Sequence, residues 1–229
     1  MSVLYVVSTP IGNMQDITLR AIETLKNVDF IICEDTRETN KLLNHFGIKK
    51  DLISSNAQTE TRKIEDILQR ISSGKSAALV SDAGTPCISD PGVRLVNAAI
   101  KQNIKVVPVP GVNAAITALS ISGIPTDSFV FEGFLPQKKG RQKKLAELSE
   151  EPRTIVLYES VYRIEKLIHE LNQYMPERQI SVCRELTKMF EEIWQGLPSE
   201  VISSLSAKTI KGEFVVVISP KNWERKNIE

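Results

Sequence analysis

The sequence predicts an α/β fold with two domains, and the distribution of apolar runs carries that prediction. In the first half, short apolar runs such as Val3–Val7 alternate with segments of helical periodicity, which is typical of a parallel sheet covered on both faces. After residues 123–125, strands outnumber helices and hairpin-like spacings appear, which favours a mixed sheet. The 229 residues suffice for two compact domains. We expect an N-terminal domain over 1–124 and a C-terminal domain over 125–229.

The elements of the first domain follow from periodicity and capping residues. Asp16 and Thr36 are the expected N-caps of the first two helices, and Gly47 ends the second. Further helices are expected at 59–71, 92–102 and 113–120. Strands are expected at 3–7, 30–33, 77–80 and 105–109.

The second domain is expected to hold strands at 128–134, 154–158, 179–184, 192–195 and 214–219. Helices are expected near 162–174 and from Ser199. Residues 137–144 are interpreted as a basic loop after the first of these strands. The alternative interpretation of this segment is the solvated start of a helix.

Composition excludes several classes of protein. The net charge of +1 argues against a strongly basic nucleic-acid wrapper, although a local basic patch remains compatible with it. The apolar runs are too short for a membrane span, and we recognise no secretory signal. Three dispersed cysteines favour a reducing cytosol over a disulfide framework, and two histidines without a Cys cluster make a zinc site unexpected.

Three loops rich in Gly and Pro, at 8–13, 81–86 and 108–113, follow predicted strands. In open α/β sheets this edge holds the ligand. The chain lacks GxGxxG after the first strand and lacks a P-loop, and these loops contain no Lys or Arg. A ligand with ribose, adenine and a zwitterionic tail fits better, with Asp82 as an acceptor and backbone groups near Gly84, Gly111 and Val112 facing adenine. The alternative is that the loops are merely tight turns.

Longer motifs carry a resemblance to a known family. They occupy residues 8–18, 34–37, 42–48, 81–86, 89–92, 109–111, 131–136, 184–188 and 211–214. In this order they resemble the small-subunit ribosomal RNA methyltransferase I family, a branch of the tetrapyrrole methylase superfamily. The resemblance runs from Leu4 to about Ile218.

The resemblance implies S-adenosylmethionine-dependent methylation of a ribose 2'-hydroxyl on a decoding-centre cytidine of 16S rRNA. It also implies a homodimer and a tetrapyrrole-methylase-like fold with the cofactor in the cleft between the domains. The cofactor contacts expected on this basis are Pro10, Ile11, Gly12, Asp82, Ala83, Gly84, Thr85, Pro110, Gly111, Val112, Asn113, Ala114, Tyr158, Glu185, Leu186 and Phe214.

The sequence departs from the family pattern at two places. Residues 159–163 read Glu-Ser-Val-Tyr-Arg, where the family usually has Glu-Ser-Pro-His-Arg. If that His places RNA or accepts a proton, Tyr162 must substitute for it or the role is absent. Val112-Asn113 stands where Pro-Ser is common, which affects side-chain contacts there more than backbone contacts.

Candidates for activating or orienting the acceptor hydroxyl are Glu34, Asp35, Glu159, Glu185 and Lys188. For Glu34 and Asp35 the alternative role is capping the next helix. For Glu159 the alternative is a structural salt bridge to Arg163 or Arg184.

Expected RNA contacts are cations that could meet phosphates. They are Arg20, Arg37, Lys138, Lys139, Arg141, Lys143, Lys144 and Arg163. Two other functions remain open at this point. One is methylation of a small molecule such as a tetrapyrrole, and the other is a non-enzymatic RNA-binding or assembly factor that retains the fold.

Overall fold

The computed structural model describes residues 2–56, 60–207 and 209–224, and its contacts divide the chain into two units. The first unit is Met1–Asn113 and the second is Ala114–Glu229. Helix α5 (Ala114–Ser122) goes with the second unit because it packs on that unit's strands. The expected division after Ile124 had assigned this helix to the first domain.

The first unit is built on a five-stranded sheet in which all the pairs are parallel, in the order β3-β2-β4-β1-β5. This confirms the predicted parallel sheet. Its elements are β1 (Val3–Val7), α1 (Leu19–Asn27), β2 (Phe30–Cys33), α2 (Thr36–His45), β3 (Asp51–Ser54), α3 (Glu60–Ser72), β4 (Ser76–Leu79), α4 (Val93–Lys101) and β5 (Lys105–Val109).

Apolar side chains cover both faces of this sheet. On one face, Leu25 of α1 and Leu43 of α2 pack with Ile31 of β2. On the other face, residues of α3 and α4 such as Leu95 pack with Ile32 of β2. Successive strand residues therefore point to opposite helical layers, which explains why the strands read as continuous apolar runs.

Several local predictions for the first unit were wrong. Thr18, not Asp16, caps α1 by accepting a hydrogen bond from the backbone N–H of Ala21, because residues 14–16 form a separate 3₁₀ turn. Asp35, not Thr36, caps α2. Strand β3 was missed because its Asp-Leu-Ile-Ser sequence is half polar. The predicted start of the third helix, Thr59, lies outside the described residues.

The second unit contains a mixed sheet, as predicted, and the order of its strands is β6-β7-β10-β8-β9. The β6–β7 pair is parallel, whereas β10 runs antiparallel to both β7 and β8, and β9 runs antiparallel to β8. The elements after α5 are β6 (Phe129–Phe134), α6 (Arg141–Ser149), β7 (Thr154–Ser160), α7 (Ile164–Tyr174), β8 (Ile180–Arg184), β9 (Glu192–Gly196), α8 (Pro198–Ser204) and β10 (Glu213–Ile218).

Helix α6 replaces the second part of the predicted basic loop. The first turn of this helix is polar, so the only large apolar residues that could indicate a helix are the later Leu145 and Leu148. Both are buried in the core of the unit. The alternative interpretation, a helix start, therefore applies from Arg141 onward. Residues 137–140 remain part of the segment 135–140 that connects β6 to this helix.

Candidate active site

The carboxyl edge of the first sheet contains the three predicted ligand loops. Strands β1 and β4 are neighbours, yet the chain leaves them toward helices on opposite faces of the sheet. Such a divergence opens a crevice at the strand ends, which is the usual ligand position in open α/β sheets. We refer to residues 8–13, 80–92 and 110–113 as the first, second and third loops.

Hydrogen bonds join these three loops to each other. The N–H of Thr9 donates to the carbonyl of Gly84 at 2.9 Å, and the N–H of Gly84 donates back to the carbonyl of Thr9 at 3.0 Å. The hydroxyl of Ser8 donates to that of Thr85 at 3.1 Å, and the Thr85 hydroxyl donates to the carbonyl of Val112 at 2.9 Å. Thr85 in the second loop therefore connects the first loop to the third.

Two glycines allow this close packing. A Cβ atom on Gly111 would lie 2.9 Å from the Cβ of Ser8, and one on Gly84 would lie 3.3 Å from the Cγ2 of Ile11. Gly84 also has a φ of +78°, which side chains rarely adopt. The loops thus need glycine for mutual packing, which leaves Gly12, Asp82, Ala83 and Pro110 exposed at the edge.

Asp35 binds its own helix and the second loop. Its backbone N–H donates to Oδ1 of Asp82 at 3.0 Å, while its carboxylate accepts from the backbone N–H of Arg37 at 2.8 Å. The Arg37 side chain also pairs with that carboxylate at 2.6 Å, and these hydrogen bonds lower the pKa of Asp35 to about 2. Asp35 is therefore a charged helix cap, and its backbone positions Asp82.

Three other carboxyl groups at this edge have raised pKa values. Partial desolvation of the carboxyl group is the main cause for Glu34, Asp82 and Asp90, although Asp82 as a whole residue is exposed, and the pKa of Asp90 reaches about 6. Repulsion from Asp82 also contributes to the raised pKa values of Glu34 and Asp90. The sequence motif at 89–92 contained Asp90, but its role depends on proximity to Glu34, which is distant in sequence. The edge is acidic and its loops contain no Lys or Arg, so it suits a ligand with positive charge better than a phosphate.

In the second unit, Glu159 lies in a buried ion-pair cluster with Arg141, Arg163 and Glu170. The Glu159 side chain is 0% exposed and contacts Arg163 at 2.8 Å and Arg141 at 3.3 Å. Arg141, whose side chain is 3% exposed, also pairs with Glu170 at 2.8 Å. This cluster corresponds to the structural salt bridge that was the alternative role for Glu159. Arg141 is a further partner that the sequence spacing did not indicate. The Arg141 guanidinium is enclosed by these carboxylates, so it is not placed to meet a phosphate.

The loop after β8 is held by Lys188. Its ammonium donates to Oε1 of Glu185 and to Oε2 of Glu213, both at 2.9 Å. Glu185 has a φ of +51°, and Gly212 faces it where a Cβ atom would collide with the Glu185 carboxylate. Two carboxylates thus hold Lys188 as a cation, which disfavours it as a proton acceptor.

The other predicted cofactor residues of the second unit differ in accessibility. Tyr158 is half-buried, and its hydroxyl accepts a hydrogen bond from the N–H of Ala115 at 3.2 Å, next to Ala114. Leu186 and Phe214 are buried, and Phe214 packs against Trp194 in the core. The structure therefore brings Ala114 near Tyr158 but gives Phe214 a packing role.

The predicted RNA-binding cations also fall into separate groups. Lys138 and Lys139 are exposed, and neither has a carboxylate at ion-pairing distance within the described ranges. Lys143 is exposed beside Glu147 at 3.9 Å, whereas Lys144 pairs with Glu132 at 2.8 Å. In the first unit, Arg20 is exposed in the first turn of α1 and Arg37 pairs with Asp35.

Two features are absent from the described residues. Within them, no group of three or more His, Cys, Asp or Glu side chains is arranged to hold a metal ion. No helix in that part of the chain combines the length and apolar character needed to cross a membrane.

Comparison with known proteins defines the class. Residues 3–202 match the family model of the tetrapyrrole (corrin/porphyrin) methylases. Among solved structures, a cobalt precorrin-4 methyltransferase superposes with a TM-score of 0.71 at 16% identity, covering 95% of each chain. A uroporphyrin-III-C-methyltransferase from Thermus thermophilus gives 0.67 at 19% identity, covering 96% of this chain and 94% of that one. These two likenesses establish the fold, and the chain belongs to the tetrapyrrole methylase family.

Curated relatives define the branch of that family. A protein of Halalkalibacterium halodurans named ribosomal RNA small subunit methyltransferase I is 47% identical, covering 94% of this chain and 75% of the relative. Its namesake from Thermotoga maritima is 44% identical, covering 96% of this chain and 100% of the relative. The chain therefore belongs to the ribosomal RNA small subunit methyltransferase I family, which confirms the resemblance noted from the motifs.

Proposed function

We propose that this protein is an S-adenosylmethionine-dependent methyltransferase of small-subunit ribosomal RNA. We further propose that it methylates the ribose 2'-hydroxyl of a decoding-centre cytidine in 16S rRNA. The observation that carries the proposal is the family match over nearly the whole chain, at 44–47% identity to the two relatives above. The acidic, cation-free loops are consistent with it, because this cofactor carries a sulfonium and an ammonium group.

The loops of the first unit are the proposed binding site for the cofactor. The donor and acceptor set fits the ligand: Asp82 presents an exposed carboxylate for a hydroxyl or amino group, and Pro110 and Gly111 expose backbone that can face an adenine edge. When bound, the cofactor supplies an electrophilic methyl group, so the protein mainly has to align the acceptor. Contacts from Tyr158, Glu185 and Leu186 remain a prediction.

Glu34 is the carboxylate that we propose to orient the acceptor hydroxyl. It follows β2 at the ligand edge, is half-buried, and has no cation within ion-pairing distance in the described part of the chain. Burial raises its pKa above the ordinary value, which makes it a better proton acceptor than a solvated carboxylate. Asp35, Glu159 and Lys188 are each engaged in ion pairs and are weaker candidates. In the transfer, the bond between the methyl carbon and the cofactor sulfur would break as the ribose oxygen bonds to that carbon, which would leave a neutral thioether. The hydroxyl proton would pass to Glu34 or to water.

The RNA-binding surface that we propose centres on Lys138 and Lys139, with Lys143 beside them. The ammonium groups of Lys138 and Lys139 are exposed and have no ion-pair partner among the described residues, so they can meet phosphates, and phosphate contacts supply much of the affinity for RNA. Arg141 is left out of this surface because it is buried. A homodimer, which the family resemblance implies, belongs to the same proposal. So does a cytoplasmic location, since the proposed substrate is ribosomal.

Incubation with methyl-labelled cofactor tests the proposed function. We expect label on 16S rRNA in small subunits, in a nucleotide whose 3' bond resists alkali because its 2'-oxygen is methylated. Free precursor tetrapyrroles in a parallel incubation should remain unlabelled. Label on the tetrapyrrole, or in an alkali-sensitive nucleotide, would overturn the proposal.

The Glu34→Gln variant tests the role of that carboxylate. We expect turnover to fall at least tenfold while cofactor affinity stays near that of the wild type, because the amide cannot accept the proton. Wild-type turnover would remove Glu34 from the mechanism without affecting the assignment of the substrate.

A further inference from the structure

Four large apolar side chains are exposed at one edge of the second sheet. Tyr162 is 93% exposed, Met189 89%, Phe190 66% and Phe134 53%. We call these four residues the aromatic edge. Exposed apolar groups concentrated in one place usually mark a binding surface rather than a random feature of the fold.

The sheet register places the aromatic edge on neighbouring strand ends. Phe134 is the last residue of β6 and pairs in register with Tyr158 of β7, while Tyr162 follows the end of β7. Strand β10 lies between β7 and β8, with Phe214 opposite both Glu159 and Arg184. The ends of β6, β7 and β8 therefore span three strand spacings, or about 15 Å. Met189 and Phe190 lie in the loop after β8.

The cations next to Phe134 favour an anionic partner at that end of the aromatic edge. Lys138 and Lys139 follow Phe134 in the segment after β6 and are exposed and unpaired among the described residues. Two acidic groups nearby, Glu185 and Glu213, are compensated because both bind Lys188. Two others are exposed, namely Glu165 after Tyr162 and Glu191 after Phe190. The free positive charge therefore lies at the Phe134 end of the aromatic edge.

We propose that the aromatic edge binds an unpaired segment of RNA, with Tyr162 stacking on a base. Single-stranded nucleic acid is bound by this combination: cations follow the phosphates, and aromatic rings stack on bases that no partner strand covers. Tyr162 suits the role because its ring is almost wholly in water and its hydroxyl has no hydrogen-bond partner within the described residues. The proposal rests on the proposed function, since it names the form of RNA that the enzyme takes.

Binding of a fluorescein-labelled single-stranded RNA oligonucleotide with the 16S decoding-centre sequence tests this inference. Tyr162→Ala should weaken binding about 5- to 100-fold, because one base loses its stacking partner. The slope of log affinity against log salt should stay at the wild-type value, because no phosphate contact is lost. Tyr162→Phe keeps the ring and should bind like the wild type. The same strand annealed into a duplex should bind more weakly and respond less to Tyr162→Ala.

Phe190→Ala is a second variant at a separate strand end and should also weaken single-strand binding. Equal affinity of Tyr162→Ala and wild type for the oligonucleotide would overturn the inference, as would a reduced salt slope. A change from dimer to monomer in the mass of either variant would also overturn it, since the aromatic edge would then be covered by a second copy. If Tyr162→Ala binds the oligonucleotide normally and the wild-type protein still methylates small subunits, this inference fails but the proposed function stands.

Discussion

The carboxyl edge of the first sheet and the corresponding edge of the second sheet differ in whether their carboxylates are paired with basic residues. In the first unit, Glu34, Asp82 and Asp90 lie close together without a basic residue in the loops around them, and their pKa values rise. In the second unit, Glu159 is more deeply buried but pairs with two arginines. Uncompensated charge costs stability and is characteristic of functional sites, whereas compensated charge is characteristic of structural ones.

Glu159→Ala should produce the largest effect on stability. Removal of this carboxylate leaves Arg141 and Arg163 short of a partner in the interior, which should lower the free energy of unfolding by about 3–5 kcal/mol. Urea unfolding measures the change. Glu147→Ala, which removes an exposed partner 3.9 Å from Lys143, is the matched control and should cost at most about 0.5 kcal/mol. Equal losses in the two variants would contradict the distinction between the edges.

Asp90→Asn should raise, rather than lower, the free energy of unfolding at neutral pH. The native pKa of Asp90, about 6, exceeds its ordinary value of 3.8. The folded protein therefore retains this proton at pH values where the unfolded chain has lost it. Its contribution to stability is complete below about pH 4 and is lost as the pH rises through about 6.

The Asn variant should consequently be more stable than the wild type at pH 7.5, by at most about 3 kcal/mol, and less where partial exposure screens the charge. Unfolding measured between pH 4.5 and pH 7.5 should show a steeper loss for the wild type than for the variant. Parallel profiles of unfolding free energy against pH would show that the surroundings of Asp90 do not raise its pKa in the folded protein.

Thr85→Val should weaken cofactor binding about tenfold. Valine keeps the shape of threonine but removes the hydroxyl that links Ser8 to the carbonyl of Val112, so the loops lose their fixed arrangement. Isothermal titration with S-adenosylmethionine measures the affinity. Thr85→Ser keeps the hydroxyl and should bind within threefold of the wild type. A Val variant with normal affinity would show that this link does not shape the site.

The double variant Lys138→Gln/Lys139→Gln should affect RNA binding alone. Loss of two phosphate contacts should reduce the salt slope for single-stranded RNA by roughly 1.4 and weaken binding about tenfold at physiological salt. The matched control is Lys101→Gln/Lys105→Gln, whose lysines lie at the end of α4 and the start of β5 in the first unit. An unchanged slope in the first double variant would exclude these lysines from the RNA surface.

Local patterns predicted most of the fold. The strands β1 and β2 are continuous apolar runs and β5 is apolar after Lys105, and the positions of all three were predicted to the residue. Strand β3 was missed because half of its residues are polar. Helix α6 was missed because the residues that bury it, Leu145 and Leu148, follow a strongly basic start. Helix caps were misassigned by one or two residues, since several neighbouring Thr and Asp side chains could serve.

The site was predicted less completely, because its chemistry depends on distant partners. The motifs located the loops that contain Asp82 and Thr85, but no local pattern showed that Thr85 links three of them. Glu159 and Arg163 are close in sequence, and their salt bridge was among the weighed alternatives. The pairing of Glu159 with Arg141, which lies on a separate helix, was not visible.

The sequence by itself determined the α/β class, the parallel and mixed sheets, the three ligand loops and the family, because these depend on short periodicities and on the order of motifs. The tertiary structure alone decided which charges are free. Arg141 and Lys138 belong to the same basic run, yet one is buried between carboxylates and the other is exposed. The reason is that desolvation and ion pairing depend on neighbours in space, which the folded chain brings from separate strands and helices.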